Sequence, residues 1–401
     1  RKPRFAQMYH SFLLKGRIIG CEKGFSFNGD STLALKFLAI ELWKSLDTDL
    51  SRHLCTLVQG DTAEGWIKAM SVKVDPHNSL YQNNSDLFFR DYQAVSFLRK
   101  YEGWDLGINT RLEAIKVWKQ AELQCRMTNG RFRAGYFNRD ELRTIWAVKS
   151  LISHILGPAP SVTAVAEKMR LGPGATESCP SKYCSVLDKL ENLQTVSARG
   201  YDILMRMLKT RPEFRAKEPV IVHECYQDFV SKTFKVDRAI QKPEDYNVPV
   251  QLGLATLIRK RLKKFGLDLD NQASVNGLLA RYGSINNTIA TIDLQSASDT
   301  ISYEVVKALL PNGWFNWLSR FRSPWIILTD DSGKQRVKWM QEKFSAMGNG
   351  YTFELESLIF LAVTLISCGY TNRCTRMPCV IGVFGDDICC PAMYADDVLK
   401  I

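Results

Sequence analysis

Three aspartates stand where a folded chain can present them together. From Ile289 the sequence runs Ile-Ala-Thr-Ile-Asp, a short apolar strand that delivers Asp293 at its buried end before the chain turns polar. Nearly a hundred residues later, two apolar runs flank Gly385-Asp386-Asp387, the pattern of a β-hairpin with two acids at its tip. Neighbouring carboxylates repel, so a divalent cation would neutralise such a tip. The plainer reading is an ordinary Asp-containing turn, and the nearby Asp396-Asp397 pair, to which no function is assigned, shows that paired aspartates occur readily. Magnesium suits hard carboxylate oxygens. Three of them from two neighbouring strands can hold two ions roughly 3.5–4 Å apart, which activate an attacking hydroxyl and stabilise a pyrophosphate leaving group. Nucleotidyl transfer with two Mg2+ ions, for which Mn2+ can substitute, is thus the chemistry expected of Asp293, Asp386 and Asp387.

Other segments must position these acids and whatever they act on. Ser298 and Asp299 follow Asp293 at the expected start of a helix, where capping of free backbone amides explains them without a ligand. Gly348-Asn349-Gly350 forms a glycine-flanked loop that leads into a helix with apolar residues at helical spacing, Leu355, Leu358, Ile359 and Ala362 among them. On one side of that segment Gly348, Thr352 and Glu356 recur every four residues. Capping and helix-dipole effects account for Thr352 and the glutamates, but less well for the Gly-Asn-Gly run.

The most basic stretch is 231–264, with Lys235, Arg238 and Lys242 ahead of a helix expected from about Pro249 to Phe265 and closed by Gly266. Its Arg259 to Lys264 cluster reads as a solvated cationic face or loose phosphate contact. A second helix is expected between Asn138 and Leu156, with Gly157-Pro158 as its stop, while residues 172–176 read as a turn. Over the first 165 residues, mixed helix and loop, no chemistry is legible.

At 401 residues the chain exceeds the roughly 250–300 at which a single core stops growing, so several packed subdomains are expected. A net charge of +11 favours a polyanionic partner such as nucleic acid. Eleven cysteines, an odd number without a framework, suit free thiols; Cys179 and Cys184 lack the further ligands of a zinc site. No apolar region follows Arg1-Lys2-Pro3-Arg4, so no signal peptide is expected there, and the chain reads as trimmed at its start. The apolar run 358–368 is too short for a bilayer, which needs about 20 residues.

These motifs together resemble the replicase catalytic subunits of small positive-strand RNA bacteriophages, the leviviruses. Residues 293–302 resemble the family's first palm motif, 347–360 its second and 384–387 its third, in the family's order and at similar spacing. Residues 172–176 and 235–247 add to a likeness that spans about 170–391 and is weak over the first 165. Phe384 stands where tyrosine is commoner, which keeps a flat apolar ring and loses a hydroxyl. The resemblance implies an α+β right-hand polymerase with an antiparallel palm sheet. Residues 1–165 would flank fingers and palm, 166–288 form the fingers, and 289–401 the palm.

It further implies template-directed RNA synthesis from RNA, replicating a phage genome in the cytoplasm of the infected bacterium. The expected partners are RNA template and product, ribonucleoside triphosphates, and host translation elongation factors with a ribosomal protein; no membrane is implied. In the implied roles, Asp293 and Asp386 bind both ions, Asp387 assists, and Lys235 and Arg238 hold the triphosphate, with Lys242 beside them. Ser298, Asp299, Gly348, Asn349 and Thr352 would bind the nucleotide, Asp299 and Asn349 sensing the ribose 2′-hydroxyl. Glu356 is a secondary member, since related polymerases outside the phages often have Asn there. Family members continue beyond the third motif into a thumb, so the end at Ile401 implies that the thumb is largely missing and puts activity of the chain alone in question.

Two rivals fit parts of the pattern. Reverse transcriptase shares the palm and the aromatic-x-Asp-Asp turn, but places bulk where Ser298-Asp299 offers polar partners to a 2′-hydroxyl. A catalytically inactive RNA-binding protein would use the basic surface and aromatics alone, and requires that Asp293 and the hairpin tip never meet.

Overall fold

Periodic apolar stretches, separated by Thr and Asn caps, make the chain between Ser31 and Ser96 largely helical. The computed structural model describes residues 31–400 apart from 77, 102, 180–184, 216, 330–335, 372 and 374. The Arg1-Lys2-Pro3-Arg4 start and Cys184 therefore lie outside the described residues. Two compact units are present, one comprising the described residues up to Thr110 with Ser231–Val236, the other Arg111–Val230 with Asp237 onward.

In the first unit α1 (Ser31–Leu46), α2 (Asp49–Leu57), α3 (Ala63–Ser71) and α4 (Ser85–Ser96) surround a core of Trp43, Leu54, Trp66, Trp104 and Phe234. Thr48, Thr62 and Asn84 accept backbone N–H bonds that the first turns of α2, α3 and α4 cannot satisfy internally. The Trp66 ring lies 5.9 Å from Trp43 and 5.1 Å from Trp104, so three indoles meet within this small core.

The second unit mixes helices and small sheets, as the α+β expectation requires. Its long helices are α5 (Thr110–Ala134), α6 (Arg139–Leu156), α7 (Asn247–Phe265), α8 (Gln272–Asn286) and α9 (Thr352–Ser367). Helix α6 matches the expected bounds, with Asn138 and Glu141 forming a capping box at its start and Gly157 closing it at a positive φ. Helix α7 starts two residues before Pro249, because a proline in the first turn lacks only an N–H that would be unbonded anyway. Residues 358–368 fall mostly inside α9, whose Leu358, Leu361, Ala362 and Leu365 are core residues. Among the described residues no helix is long and apolar enough to cross a membrane.

Three sheets complete the unit. Strands β1 (Thr195–Ser197) and β2 (Val220–Val222) form a parallel pair. A four-stranded sheet runs in the order β4 (Arg238–Lys242), β3 (Glu224–Val230), β6 (Trp325–Thr329), β7 (Arg336–Met340), antiparallel except between β3 and β6. The third sheet is antiparallel, in the order β5 (Ile289–Asp293), β9 (Asp387–Pro391), β8 (Gly382–Phe384). Strand β5 is not the buried strand expected from its apolar sequence; it is the edge strand, and its residues are half-buried or exposed. Of the described cysteines, Cys55, Cys125, Cys225, Cys368, Cys379, Cys389 and Cys390 are free thiols.

Candidate active site

The hairpin forms as its sequence dictates. Phe384 pairs with Asp387, so Gly385 and Asp386 make a two-residue turn. Gly385 has a φ of +62°, and a Cβ there would come within 2.7 Å of the Phe353 ring; both the turn and the contact require glycine. The Ser357 hydroxyl accepts the Gly385 N–H at 3.0 Å and Phe384 packs edge-on against Phe353, fastening the tip to α9.

Strand β5 pairs with β9 in a register that sets Asp293 directly opposite Asp387. Across an antiparallel pair, opposed side chains share one face, so the strand end and the hairpin tip bring their acids together. Helix α8 packs against all three strands, and Asn276 donates through Nδ2 to the Asp387 carbonyl at 3.1 Å. A cavity of about 380 Å³ opens there, lined by Asn276, Gly277, Thr291, Asp293, Phe384 and Asp387 among others.

The acids form a continuous group. Burial, then the charges of Asp386 and Asp293, push the Asp387 carboxyl up. Glu356, one turn beyond Thr352 on α9, is buried with Oε1 unbonded; burial, then Asp386 and Asp299, push it up to about 8. Among the described residues no Lys or Arg pairs with Asp293, Asp386 or Asp387, nor do three His, Cys, Asp or Glu side chains converge into a ready metal cage. Magnesium is commonly held by one or two carboxylates, with water and substrate phosphates completing its shell. The crowded hard oxygens and the orphaned Glu356 atom fit such an ion.

Asp299 does not cap a helix as the simplest sequence reading had it. The short helix Ala297–Thr300 starts at Ser296 with no side-chain cap, and the Asp299 carboxylate instead accepts a 2.6 Å bond from Lys343. Ser298 lies half-buried in that helix, which packs against α9. Nor does Thr352 cap α9: its hydroxyl donates to the Ala346 carbonyl at 2.8 Å, while Ala346 N–H donates to Asn349 Oδ1 at 2.9 Å. These bonds, with Gly350 N–H to Gln251 Oε1 at 2.7 Å, lock the loop.

Gly348 has a φ of +112°, and a Cβ there would meet the Gln241 carbonyl at 2.1 Å; the Gln241 N–H donates to Met347 O at 2.8 Å. Strand β4 is thus docked edge-on against the loop. Arg238 is exposed at the start of β4, and Lys242 at its end pairs with Asp228 at 2.5 Å. Lys235 belongs to the first unit, exposed, with its ammonium 5.3 Å from the Phe234 ring centre. Arg259 is not the solvated cation expected; it pairs with Glu354 at 2.6 Å and Asp270 at 2.8 Å, and Lys263 pairs with Asp268.

Sequence reasoning missed Lys343, Glu122 and Asn129. The last two sit in the region where no chemistry was legible, yet both are buried on α5. Polar residues at positions 122 and 129, interrupting the face of Ala114, Ile115, Trp118, Ala121 and Cys125, were the available signal.

Fold and site define an α+β protein with an acid-ended strand paired to an acid-tipped hairpin. The chain belongs to the family described as RNA replicase, beta-chain, whose profile matches residues 55–401. It is 33% identical over 319 residues to the RNA-directed RNA polymerase subunit beta of Escherichia virus Qbeta, covering 78% of this chain and 52% of the relative. The subunit of the same description from Qbeta virus strain MX1 is 32% identical over 377 residues, 89% of this chain and 62% of that protein. The RNA-directed RNA polymerase beta chain of Escherichia phage MS2 is 44% identical over 174 residues, 43% of this chain and 29% of the relative. The chain thus spans 52% and 62% of the two Qbeta-type relatives it matches.

Proposed function

We propose that this chain carries the polymerising centre of an RNA-directed RNA polymerase, the activity named for its relatives. The observation that carries the reading is the register that sets Asp293 opposite Asp387 at a Gly-Asp-Asp tip. In this reading 289–401 form the palm, 166–288 the fingers, and 1–165 their periphery. The setting would be the cytoplasm of an infected bacterium, with host elongation factors and a ribosomal protein as further partners.

Asp293 and Asp386 are the principal ligands of two Mg2+ ions and Asp387 assists. When bound, these ions supply Lewis-acid activation of the attacking 3′-hydroxyl and charge stabilisation of the leaving pyrophosphate. In the metal-free chain Glu356, raised to about 8 by burial and then by Asp386, adds little further repulsion to the group at neutral pH. Arg238 neutralises the triphosphate. Lys242, already paired with Asp228, contributes by fixing β4. The locked loop of Gly348, Asn349 and Thr352, with Ser298 and Asp299, orients the nucleotide and recognises its ribose. An exposed edge strand suits this role, because a primer end must reach Asp293 without unfolding the sheet.

Asp299, joined to its surroundings through polar groups, favours ribonucleotides over the deoxyribonucleotides of a reverse transcriptase. The test is incorporation of a labelled ribonucleotide on primed RNA with Mg2+, together with RNA binding by the same variants. Asp293→Asn and Asp386→Asn should each abolish incorporation while RNA binding persists. Incorporation retained in either variant refutes the assigned roles, and preference for deoxyribonucleotides favours the reverse transcriptase.

A further inference from the structure

Lys343 is completely buried, and its ammonium is held by two acids from distant parts of the chain. It donates to Asp299 Oδ1 at 2.6 Å and lies 4.0 Å from Glu122 Oε1 and 5.3 Å from the centre of the Trp118 ring. Burying an ammonium is costly unless it is paired, and an apolar side chain of similar length would fill the space without that cost. Packing alone therefore does not explain a lysine here.

The backbone around Lys343 fastens the two candidate ribose-binding segments to each other. Phe344 N–H donates to Ile301 O at 2.8 Å and Tyr303 N–H to Glu342 O at 3.0 Å, while Ser302 and Lys343 form an antiparallel bridge. Helix α5 holds this junction from behind: Glu342 N–H donates to Glu122 Oε2 at 2.7 Å, Asn129 Nδ2 donates to Glu342 O at 2.7 Å, and Glu304 N–H donates to Asn129 Oδ1 at 2.9 Å. Two residues after Lys343 begins the loop that carries Gly348 and Asn349.

The Asp299 side chain keeps 17% of its surface exposed, whereas Lys343 has none. A ligand can reach the carboxylate and cannot reach the lysine. Resting on the polymerase reading above, we infer that Lys343 is a positioning residue for ribose selection: anchored by Glu122, it fixes Asp299 through Oδ1 and leaves the outer part of the carboxylate to accept a bond from the 2′-hydroxyl. A free Asp299 would sample several rotamers and recognise the hydroxyl less selectively.

The readout is the ratio of dissociation constants for dGTP and GTP, measured on the full chain with Mn2+ and a primed RNA whose templating base is cytosine. Loss of the charge-assisted bond in Lys343→Met should lower this ratio about tenfold. Asp299→Ala should lower it equally, the double variant no further, and Lys343→Arg should recover most of it. If Lys343→Met does not fold, Lys343→Gln is read in its place, with a loss of about threefold expected from a neutral donor. A lowered melting temperature with an unchanged ratio, in a protein whose ratio collapses in Asp299→Ala, makes Lys343 purely structural and overturns the inference while the polymerase reading stands. A wild-type ratio near one, or a ratio that Asp299→Ala leaves unchanged, overturns the role of Asp299 itself and the inference with it.

Discussion

Two groups of acids lie in the second unit and neutralise their charge in opposite ways. Asp299 is hydrogen-bonded to a buried lysine that balances its negative charge inside the chain, while burial pushes the carboxyl of Glu122, 4.0 Å from the same lysine, up. Asp293, Asp386 and Asp387 have no such partner among the described residues, and burial, then the charges of Asp386 and Asp293, raises the Asp387 carboxyl. An internally balanced group is a fixture, stable whether or not a ligand is present. An unbalanced one carries a cost to the folded state that a cation, as proposed for this site, would relieve.

Substitution should separate the two groups. The largest effect is expected from Asp386→Asn, which should reduce nucleotide incorporation at least ~10³-fold, about 4 kcal/mol of barrier, without lowering the melting temperature of the metal-free protein. A clear loss of stability would mean that the tip is a fixture after all. Lys343→Met should do the reverse to stability, destabilising by about 3–5 kcal/mol in urea titrations because Asp299 loses its counter-ion beside a buried Glu122; a variant as stable as wild type would break the contrast.

Adding Mg2+ or Mn2+ should raise the melting temperature of the wild type, by about 2.7 kcal/mol of stabilisation at a hundred times Kd, and leave Asp386→Ala unmoved. An equal shift in both proteins would place the ion elsewhere. The smallest effect concerns pH. Glu356 has a folded-state pKa of about 8 against an ordinary 4.5, so between those values the folded chain holds a proton that the unfolded chain has released. Stability should therefore fall as pH rises through that window in metal-free buffer. Glu244, raised by burial to about 7, adds to the fall below that pH, so Glu356→Gln should flatten the part of the slope nearest pH 8, gaining on the order of 2 °C near pH 9. An unchanged slope between pH 7 and 8 in Glu356→Gln would assign that part to another group.

Much of this was legible in the residues. Helix α6 announced itself through Asn138, Glu141 and Gly157, and α7 through Gly266, because caps and periodicity are local properties. The hairpin was legible for the same reason, and the glycines at 348 and 385 stand where positive φ is needed. Capping of Asp299 and Thr352 was a sound local inference that lost to longer-range partners, Lys343 for one and the Ala346 carbonyl for the other. Arg259 looked solvated because Asp270 and Glu354 lie 11 and 95 residues away in sequence.

The sequence alone determined which elements form and which residue types are available, since a strand, a turn or a capped helix is decided by a dozen neighbouring residues. It offered three aspartates and a chemistry they could perform. Only the tertiary structure decided which charges meet: the register of β5 on β9 set Asp293 beside Asp387, and the packing of α5 behind residues 342–344 gave Lys343 its second acid. Electrostatic pairing depends on distance in space, and nothing in the spacing of residues 122, 299 and 343 encodes that distance.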